Sequence, residues 1–134
     1  MKQKDYGKWM PVKRELHNNP FRPLYNEGDV FWLCMGENVG FEQDGKGGLY
    51  TRPVVVVRGF SRELFFGVPL TSRSKSGKFY YKFLLEGNYS TAILSQLRAF
   101  DTARISNDGQ RIGRISRRDL AVIRKRLCGL IQGG

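Results

Sequence analysis

Four consecutive valines, Val54–Val57, stand directly after the pair Arg52-Pro53. β-branched residues favour extended backbone, and an apolar run without polar alternation is typical of a strand that is buried on both faces. The run therefore predicts a central strand of a β structure. It also predicts that the guanidinium of Arg52 is held at the start of that strand.

Further segments along the chain are rich in Val, Phe and Tyr and are separated by clusters of Gly, Ser and Asn. This pattern predicts an antiparallel barrel or sandwich, because a βαβ fold would place helical segments between the strands. The expected strands are Val30–Met35, Val54–Phe60, Leu64–Leu70, Phe79–Leu85 and Thr91–Phe100.

The last segment of the chain has the pattern of a helix. Ser116 precedes Asp119 at the spacing of a helix N-cap followed by an acidic first turn. The helix is expected to pack on the β structure, to end near Gly133 and to carry the cations at 124–126 on a solvated face. Its apolar residues at helical spacing are Leu120, Ile123, Leu127 and Leu130.

The first residues form a separate arm in this interpretation. Trp9, Val12 and Leu16 have helical spacing, and the proline-containing segment 18–23 breaks that pattern. We therefore divide the chain into an N-terminal arm at 1–26, with a short helix, and a domain at 27–134. A chain of 134 residues is long enough for one such domain with its own core.

The chain is strongly basic, with 23 Lys and Arg against 12 Asp and Glu and a net charge of +11. This excess favours polyanionic partners, nucleic acid above all, through counterion release. In the segment 72–82 the cations flank the rings of residues 79–81, a mixture suited to a single strand of nucleic acid. These cations are Arg73, Lys75, Lys78 and Lys82. We expect the cations to contact the nucleic acid more than the rings do, since alternate rings of 79–83 must face the core.

His17 is the one histidine, and Cys34 and Cys128 are the two cysteines. Their spacing matches no zinc or redox motif, so we expect no metal, no cofactor and two buried thiols in a reducing cytoplasm. The N-terminus lacks an apolar signal segment, and no run is long enough to span a membrane. The sequence thus predicts a cytoplasmic protein.

Polar side chains flank the two strands expected at the centre of the fold. Glu42 lies in the glycine-rich segment 36–51 before the valine strand, Arg52 at the start of that strand, and Thr71-Ser72 at the end of the next. A guanidinium and a hydroxyl on one rim of a small barrel suit the binding of a phosphate. The alternative is structural, with Arg52 paired to Glu42 and Thr71 capping a strand end.

Over residues 27–132 the sequence resembles the MazF/PemK family of toxin endoribonucleases from toxin–antitoxin modules. The resemblance is carried by several short segments that occur in the family's order. These segments are Glu27–Trp32, Gly40–Gln43, Arg52-Pro53, Val68–Ser72, Leu94–Asp101, Arg104-Ile105 and Gly113–Ile115.

This resemblance implies a mainly β fold, an SH3-like antiparallel barrel of the CcdB/MazF type with a C-terminal helix, assembled as a homodimer. It also implies metal-independent, sequence-selective cleavage of single-stranded RNA, and an acidic antitoxin as protein partner. Arg52 and Thr71 match family positions associated with catalysis. For Glu42 the residues leave three roles open, namely a general base, a group that orients Arg52 and a contact that fixes the loop, and we expect orientation. The expected RNA contacts are Ser72, Arg73, Lys75, Lys78, Gln96 and Arg98.

The chain departs from the pattern of some family members in one stretch. Where those members carry an Arg and an Asp, this sequence has Ile93 and Ser95, so a carboxylate base is missing from that strand. The proton acceptor is then Glu42, a phosphate oxygen or a group that the sequence does not identify. Two other functions stay open, namely a non-catalytic nucleic-acid-binding barrel and a gyrase-directed toxin like the CcdB toxins.

Overall fold

The computed structural model of the chain describes residues 22–35, 51–106 and 109–133. The helix predicted around Trp9 and the loop that carries Glu42 lie outside the described residues. In the described ranges, no helix is long and apolar enough to cross a membrane.

Seven strands, two 3₁₀ turns and one α-helix make up the described part of the chain. The strands are β1 (Asp29–Cys34), β2 (Thr51–Gly59), β3 (Leu64–Thr71), β4 (Tyr80–Leu85), β5 (Asn88–Ile93), β6 (Arg98–Asp101) and β7 (Arg111–Arg114). The 3₁₀ turns are Leu94–Gln96 and Thr102–Arg104, and the helix α1 is Arg117–Ile131.

The strand pairs are antiparallel and follow the order β4-β5-β3-β2-β1-β7. β3 is the branch point, because β2 pairs along one edge while β6 and β5 share the other edge. The first half of β3 pairs with β6, and Leu70 and Thr71 pair with β5. This topology confirms the predicted antiparallel β fold with a C-terminal helix.

The prediction of a single strand over Thr91–Phe100 is wrong. β5 begins earlier, at Asn88, and the turn Leu94–Gln96 ends it. In that turn the Leu94 N–H donates to the Phe79 carbonyl at 2.8 Å, and the chain then enters β6 beside the first half of β3. The sequence pattern also missed β7, a strand of only four residues that contains two arginines and a glycine.

Alternate valines of β2 point to opposite faces of the sheet, as strand geometry requires. One face borders a helix-side core, and the other borders a second core built on aromatic rings. The burial of Val54–Val57 on both faces confirms that they form a central strand. The helix-side core includes Val55, Val57, Ile123 and Leu127, whereas the second core includes Val54, Val56, Phe65 and Phe100.

α1 begins as the sequence predicts, because the Ser116 side chain accepts a hydrogen bond from the Asp119 amide. The solvated face expected at 124–126 is wrong for two of its three cations. Arg124 Nε donates to the Val57 carbonyl at 2.8 Å, and Arg126 Nη2 donates to the Gly77 carbonyl at 3.1 Å. Their long side chains pass along the edge of the apolar stripe and reach carbonyl groups of the barrel.

The two thiols differ in exposure, which corrects the expectation that both are buried. Cys34 is buried in β1, and burial raises the pKa of its thiol. Cys128 is exposed, because its position on α1 lies outside the apolar stripe that Ile123 and Leu127 turn toward the barrel.

Gly67 and Gly129 give a matched test of this packing. A Cβ added at Gly67 would lie 2.6 Å from Val54 Cγ1 and 2.9 Å from a ring carbon of Phe65, whereas one added at Gly129 meets nothing within 4 Å. We expect Gly67→Ala to lower the free energy of unfolding by about 1–3 kcal/mol through overpacking. Gly129→Ala should raise it by roughly 0.5–1 kcal/mol, since alanine is the better helix former. Urea unfolding of both variants measures the two effects, and an equal response would contradict the packing of β2 against β3.

Candidate anion-binding site

The pairing of β2 with β3 brings Arg52 and Thr71 together. Val54 lies opposite Pro69, and each site residue stands two positions beyond that pair along its own strand. Arg52 Nη2 donates a hydrogen bond to the Leu70 carbonyl at 3.3 Å. That carbonyl belongs to the peptide group that joins Leu70 to Thr71, so the guanidinium lies beside the Thr71 backbone.

Arg52 is a buried charge, with 5% of the residue exposed. Burial lowers the pKa of its guanidinium. Arginine nevertheless stays protonated in proteins because its ordinary pKa is so high. A positive charge removed from water interacts strongly with any anion that reaches it, since little solvent screens the attraction.

Thr71 is half-buried at the end of β3 and fixes the start of the following loop. Its Oγ1 accepts a hydrogen bond from the Arg73 backbone N–H at 3.2 Å. A threonine hydroxyl that accepts a hydrogen bond can still donate its own proton. Thr71 can therefore donate to an oxyanion next to Arg52.

Arg104 lies at the same end of the sheet, and sequence reasoning gave it no role. Its Nη1 donates to the Cys34 carbonyl at 3.2 Å, and Cys34 pairs with Thr51, the residue before Arg52. Burial lowers the pKa of the Arg104 guanidinium, and the positive charge of Arg98 lowers it further. The Asp101 carboxylate acts in the opposite direction on the pKa of Arg104, so Arg104 adds positive charge to this end of the sheet with one anion already nearby.

Arg104-Ile105 is one of the segments that carry the family resemblance, but its local sequence pattern does not predict that Arg104 lies at the rim. Its position depends on an isolated bridge between Leu33 of β1 and Ile105, which holds the 3₁₀ turn Thr102–Arg104 against the end of β1. Because the contacting residues are far apart in sequence, only the tertiary structure reveals that the side chain approaches the rim.

The other predicted contacts fall into two groups. Ser72 and Arg73 are exposed and continue the chain directly from Thr71, with Lys75 and Lys78 further along the same loop. Lys75 Nζ lies 5.8 Å from the centroid of the Tyr80 ring, and Lys78 Nζ lies 5.2 Å from that of Phe79. These side chains therefore lie against rings at the start of β4.

Gln96 and Arg98 approach from the other edge of β3. Gln96 is half-buried in the turn between β5 and β6, and Arg98 is exposed on β6, opposite Gly67. Arg98 Cζ lies 4.9 Å from the centroid of the Phe100 ring in the second core. Glu42 lies outside the described residues, so its relation to Arg52 stays a prediction.

A family profile matches residues 26–131 and carries the description "PemK-like, MazF-like toxin of type II toxin-antitoxin system". A search of curated protein sequences found no significant match.

Solved structures with the same fold include MazF from Deinococcus radiodurans, which is 25% identical at a TM-score of 0.60 and covers 85% of this chain and 99% of its own. A MazE-MazF complex from the same organism is 22% identical at a TM-score of 0.57, covering 82% of this chain and 96% of that one. An endoribonuclease in complex with its cognate antitoxin from Mycobacterial species is 14% identical at a TM-score of 0.56. The match covers 82% of this chain and 95% of that one. At identities below 25% the likeness concerns the fold alone.

Inorganic phosphate tests the site without any reaction. At equal ionic strength, replacing chloride by phosphate should stabilise the wild-type protein, by about 1 kcal/mol at a phosphate concentration near five times its Kd. Arg52→Gln should lose most of this increment because the buried donor is gone. Arg117→Gln, which removes an exposed cation at the start of α1, should keep it. Thermal unfolding in the two salts measures the increments, and equal increments in all three proteins would exclude a phosphate site at Arg52.

Proposed function

The chain belongs to the PemK-like, MazF-like family of toxins of type II toxin–antitoxin systems, and from this premise we propose that it cleaves single-stranded RNA without a metal ion. The family match spans residues 26–131, and the MazF of Deinococcus radiodurans shares the fold over nearly its whole length. The observation that carries the proposal is the hydrogen bond of the Arg52 guanidinium to the Leu70 carbonyl, directly beside Thr71.

In the proposed reaction the ribose 2′-hydroxyl attacks the adjacent phosphorus. A bond forms between O2′ and phosphorus, the bond from phosphorus to O5′ breaks, and the products carry a cyclic phosphate and a 5′-hydroxyl. No metal is obligatory, because the nucleophile belongs to the substrate and is already positioned. The enzyme has to stabilise the negative charge that develops on the non-bridging oxygens.

Arg52 and Thr71 would supply that stabilisation. The guanidinium offers donors in a planar fork that matches two phosphate oxygens, and its burial keeps it oriented before the substrate arrives. The Thr71 hydroxyl would donate to the same phosphate. Arg98 and Arg104 add positive potential at this rim, which attracts the RNA backbone.

The end of β5 and the turn that follows it offer no side chain suited to remove the 2′-hydroxyl proton. Ile93 and Ser95 take the places where some family members carry ionisable groups, and neither can accept a proton from the 2′-hydroxyl efficiently. We assign to Glu42 the orientation of Arg52 and propose a phosphate oxygen, among the remaining acceptors, as the group that takes up the proton.

A Glu42→Gln variant separates orientation from base catalysis. Glutamine keeps a carbonyl acceptor for the guanidinium but cannot take up the proton. With Glu42 as an orienting group, cleavage should stay within about tenfold of wild type, whereas loss of a general base costs roughly 10²–10⁴ in rate. Single-turnover cleavage rates measure the difference, and a loss in the second range would reassign Glu42 as the base.

The proposed partners follow from charge and family. A net charge of +11 suits RNA and also an acidic antitoxin, and related structures contain MazF with MazE. We propose a homodimer in which each protomer contributes one rim. The proposed RNA contacts beside the catalytic pair are Ser72, Arg73, Lys75, Lys78, Gln96 and Arg98.

The direct test is cleavage of a long single-stranded RNA in the presence of EDTA. Arg52→Ala should lower the rate by about 10²–10³ or more, since it removes the main donor to the developing charge. Thr71→Val, which keeps the shape of the side chain, should cost about 10², whereas Thr71→Ser keeps the hydroxyl and should stay within about tenfold. Gel analysis of the fragments and of their end groups measures these effects.

Two results would contradict the proposal. Tight binding of RNA that stays intact would identify a non-catalytic binding module, which the missing carboxylate near Ser95 would permit. Cleavage that requires a divalent metal, or that Arg52→Ala leaves unchanged, would show that another site performs the reaction.

A further inference from the structure

The β4–β5 hairpin presents an exposed face on the side of the sheet away from α1. Phe83 and Leu85 of β4 point into the helix-side core. Lys82 and Leu84 alternate with them and so point the other way. Leu84 is 53% exposed, and Tyr89, its partner on β5, is 63% exposed. We call Lys82, Leu84 and Tyr89 the hairpin face.

This face lies on the same side of the sheet as the rim that carries Arg52 and Thr71. Thr91, which is 1% exposed, stands between them, opposite Thr71 on one side and opposite Lys82 on the other. Paired residues in antiparallel strands point to the same face, and neighbouring strands are about 4.8 Å apart. Lys82 is therefore two strand spacings, roughly 10 Å, from Thr71 on the same side of the sheet.

On the hairpin face the Lys82 ammonium lies over the Tyr89 ring. Lys82 Nζ lies 4.6 Å from the centroid of the Tyr89 ring and donates to Ser74 Oγ at 3.3 Å. The ammonium is thereby held over one part of the ring, while most of the Tyr89 residue stays accessible to solvent. An aromatic face beside a fixed cation suits a nucleobase and its phosphate.

We propose that the hairpin face binds the RNA segment that flanks the scissile linkage, with one base stacked on Tyr89 and a phosphate paired with Lys82. The inference rests on the proposed function, since it extends the RNA path from Arg52 and Thr71. Its support is the position of Lys82 and Tyr89 on the same side of the sheet as Thr71, the exposure of Tyr89 and the positive charge of Lys82.

A second copy of the chain fits this face less well than RNA does. A symmetric contact would bury the same patch of both protomers. The hairpin face has no carboxylate among its three residues, so two copies of Lys82 would lose water without an opposite charge. A polyanion provides that charge along its whole length.

The test measures RNA binding separately from cleavage. The probe is a short fluorescein-labelled single-stranded RNA that is fully 2′-O-methylated and cannot react, followed by fluorescence anisotropy with the full chain. Tyr89→Ala should weaken binding about 5- to 150-fold, and Tyr89→Phe, which keeps the ring, should stay within about twofold. Lys82→Gln should reduce the salt slope by about 0.7–1.

Phe60→Ala is the matched control. Phe60 is also an exposed ring, at 50%, but it follows β2 and packs edge-to-face on Phe66 with 4.7 Å between centroids. Its loss should leave RNA affinity unchanged. Thermal unfolding of each variant checks that the fold is kept.

The other possible results distinguish failure of the inference about the hairpin face from failure of the proposed function. If the wild type cleaves RNA in EDTA but Tyr89→Ala binds the probe as tightly as wild type, the inference about the hairpin face is wrong and the proposed function stands. If Tyr89→Ala lowers the molar mass in light scattering, the face is an interface between copies and the inference is again wrong. If the wild type neither cleaves nor binds RNA, the proposed function fails first and the hairpin face loses its basis.

Discussion

The antiparallel pairing of β2 with β3 is the contact on which the other features of the structure depend. Its register sets Arg52 level with Thr71, and it buries Val54–Val57 between two cores. The pairing is close at Gly67, where a side chain would collide with Val54. The other edge of β3 pairs with β6 over its first half and with β5 over its last two residues. Both β6, which carries Arg98, and the β4–β5 hairpin are therefore attached to β3.

The burial of Arg52 connects stability with function. A guanidinium out of water is costly unless its N–H groups find acceptors, and the Leu70 carbonyl is one such acceptor. The same desolvation strengthens the attraction to a phosphate oxygen. A charge that is fixed by the strand before the ligand arrives requires little reorganisation when negative charge develops. The structural and the functional interpretation of Arg52 are therefore compatible.

Local patterns in the sequence were sufficient for the central strand, the start of α1 and the overall antiparallel fold. Four consecutive valines predict a buried strand without any tertiary information, and Ser116 and Asp119 form the helix cap within a single turn. β7 and the turn at Leu94–Gln96 were missed because strand pairing, not composition, determines them. The positions of the Arg104 and Arg124 side chains could not be predicted for a related reason, because each donates to a backbone carbonyl of a strand that is distant in sequence. The rim residues 52 and 71 could be proposed from sequence, whereas the surroundings that give them their electrostatic character could not.

The most direct measurement is a crystal structure of the full chain bound to an RNA whose 2′-hydroxyls are blocked. We expect one phosphate with a non-bridging oxygen within hydrogen-bond distance of both the Arg52 guanidinium and Thr71 Oγ1. A complex in which the RNA lies elsewhere, with Arg52 still buried against the Leu70 carbonyl and no phosphate near Thr71, would contradict this expectation.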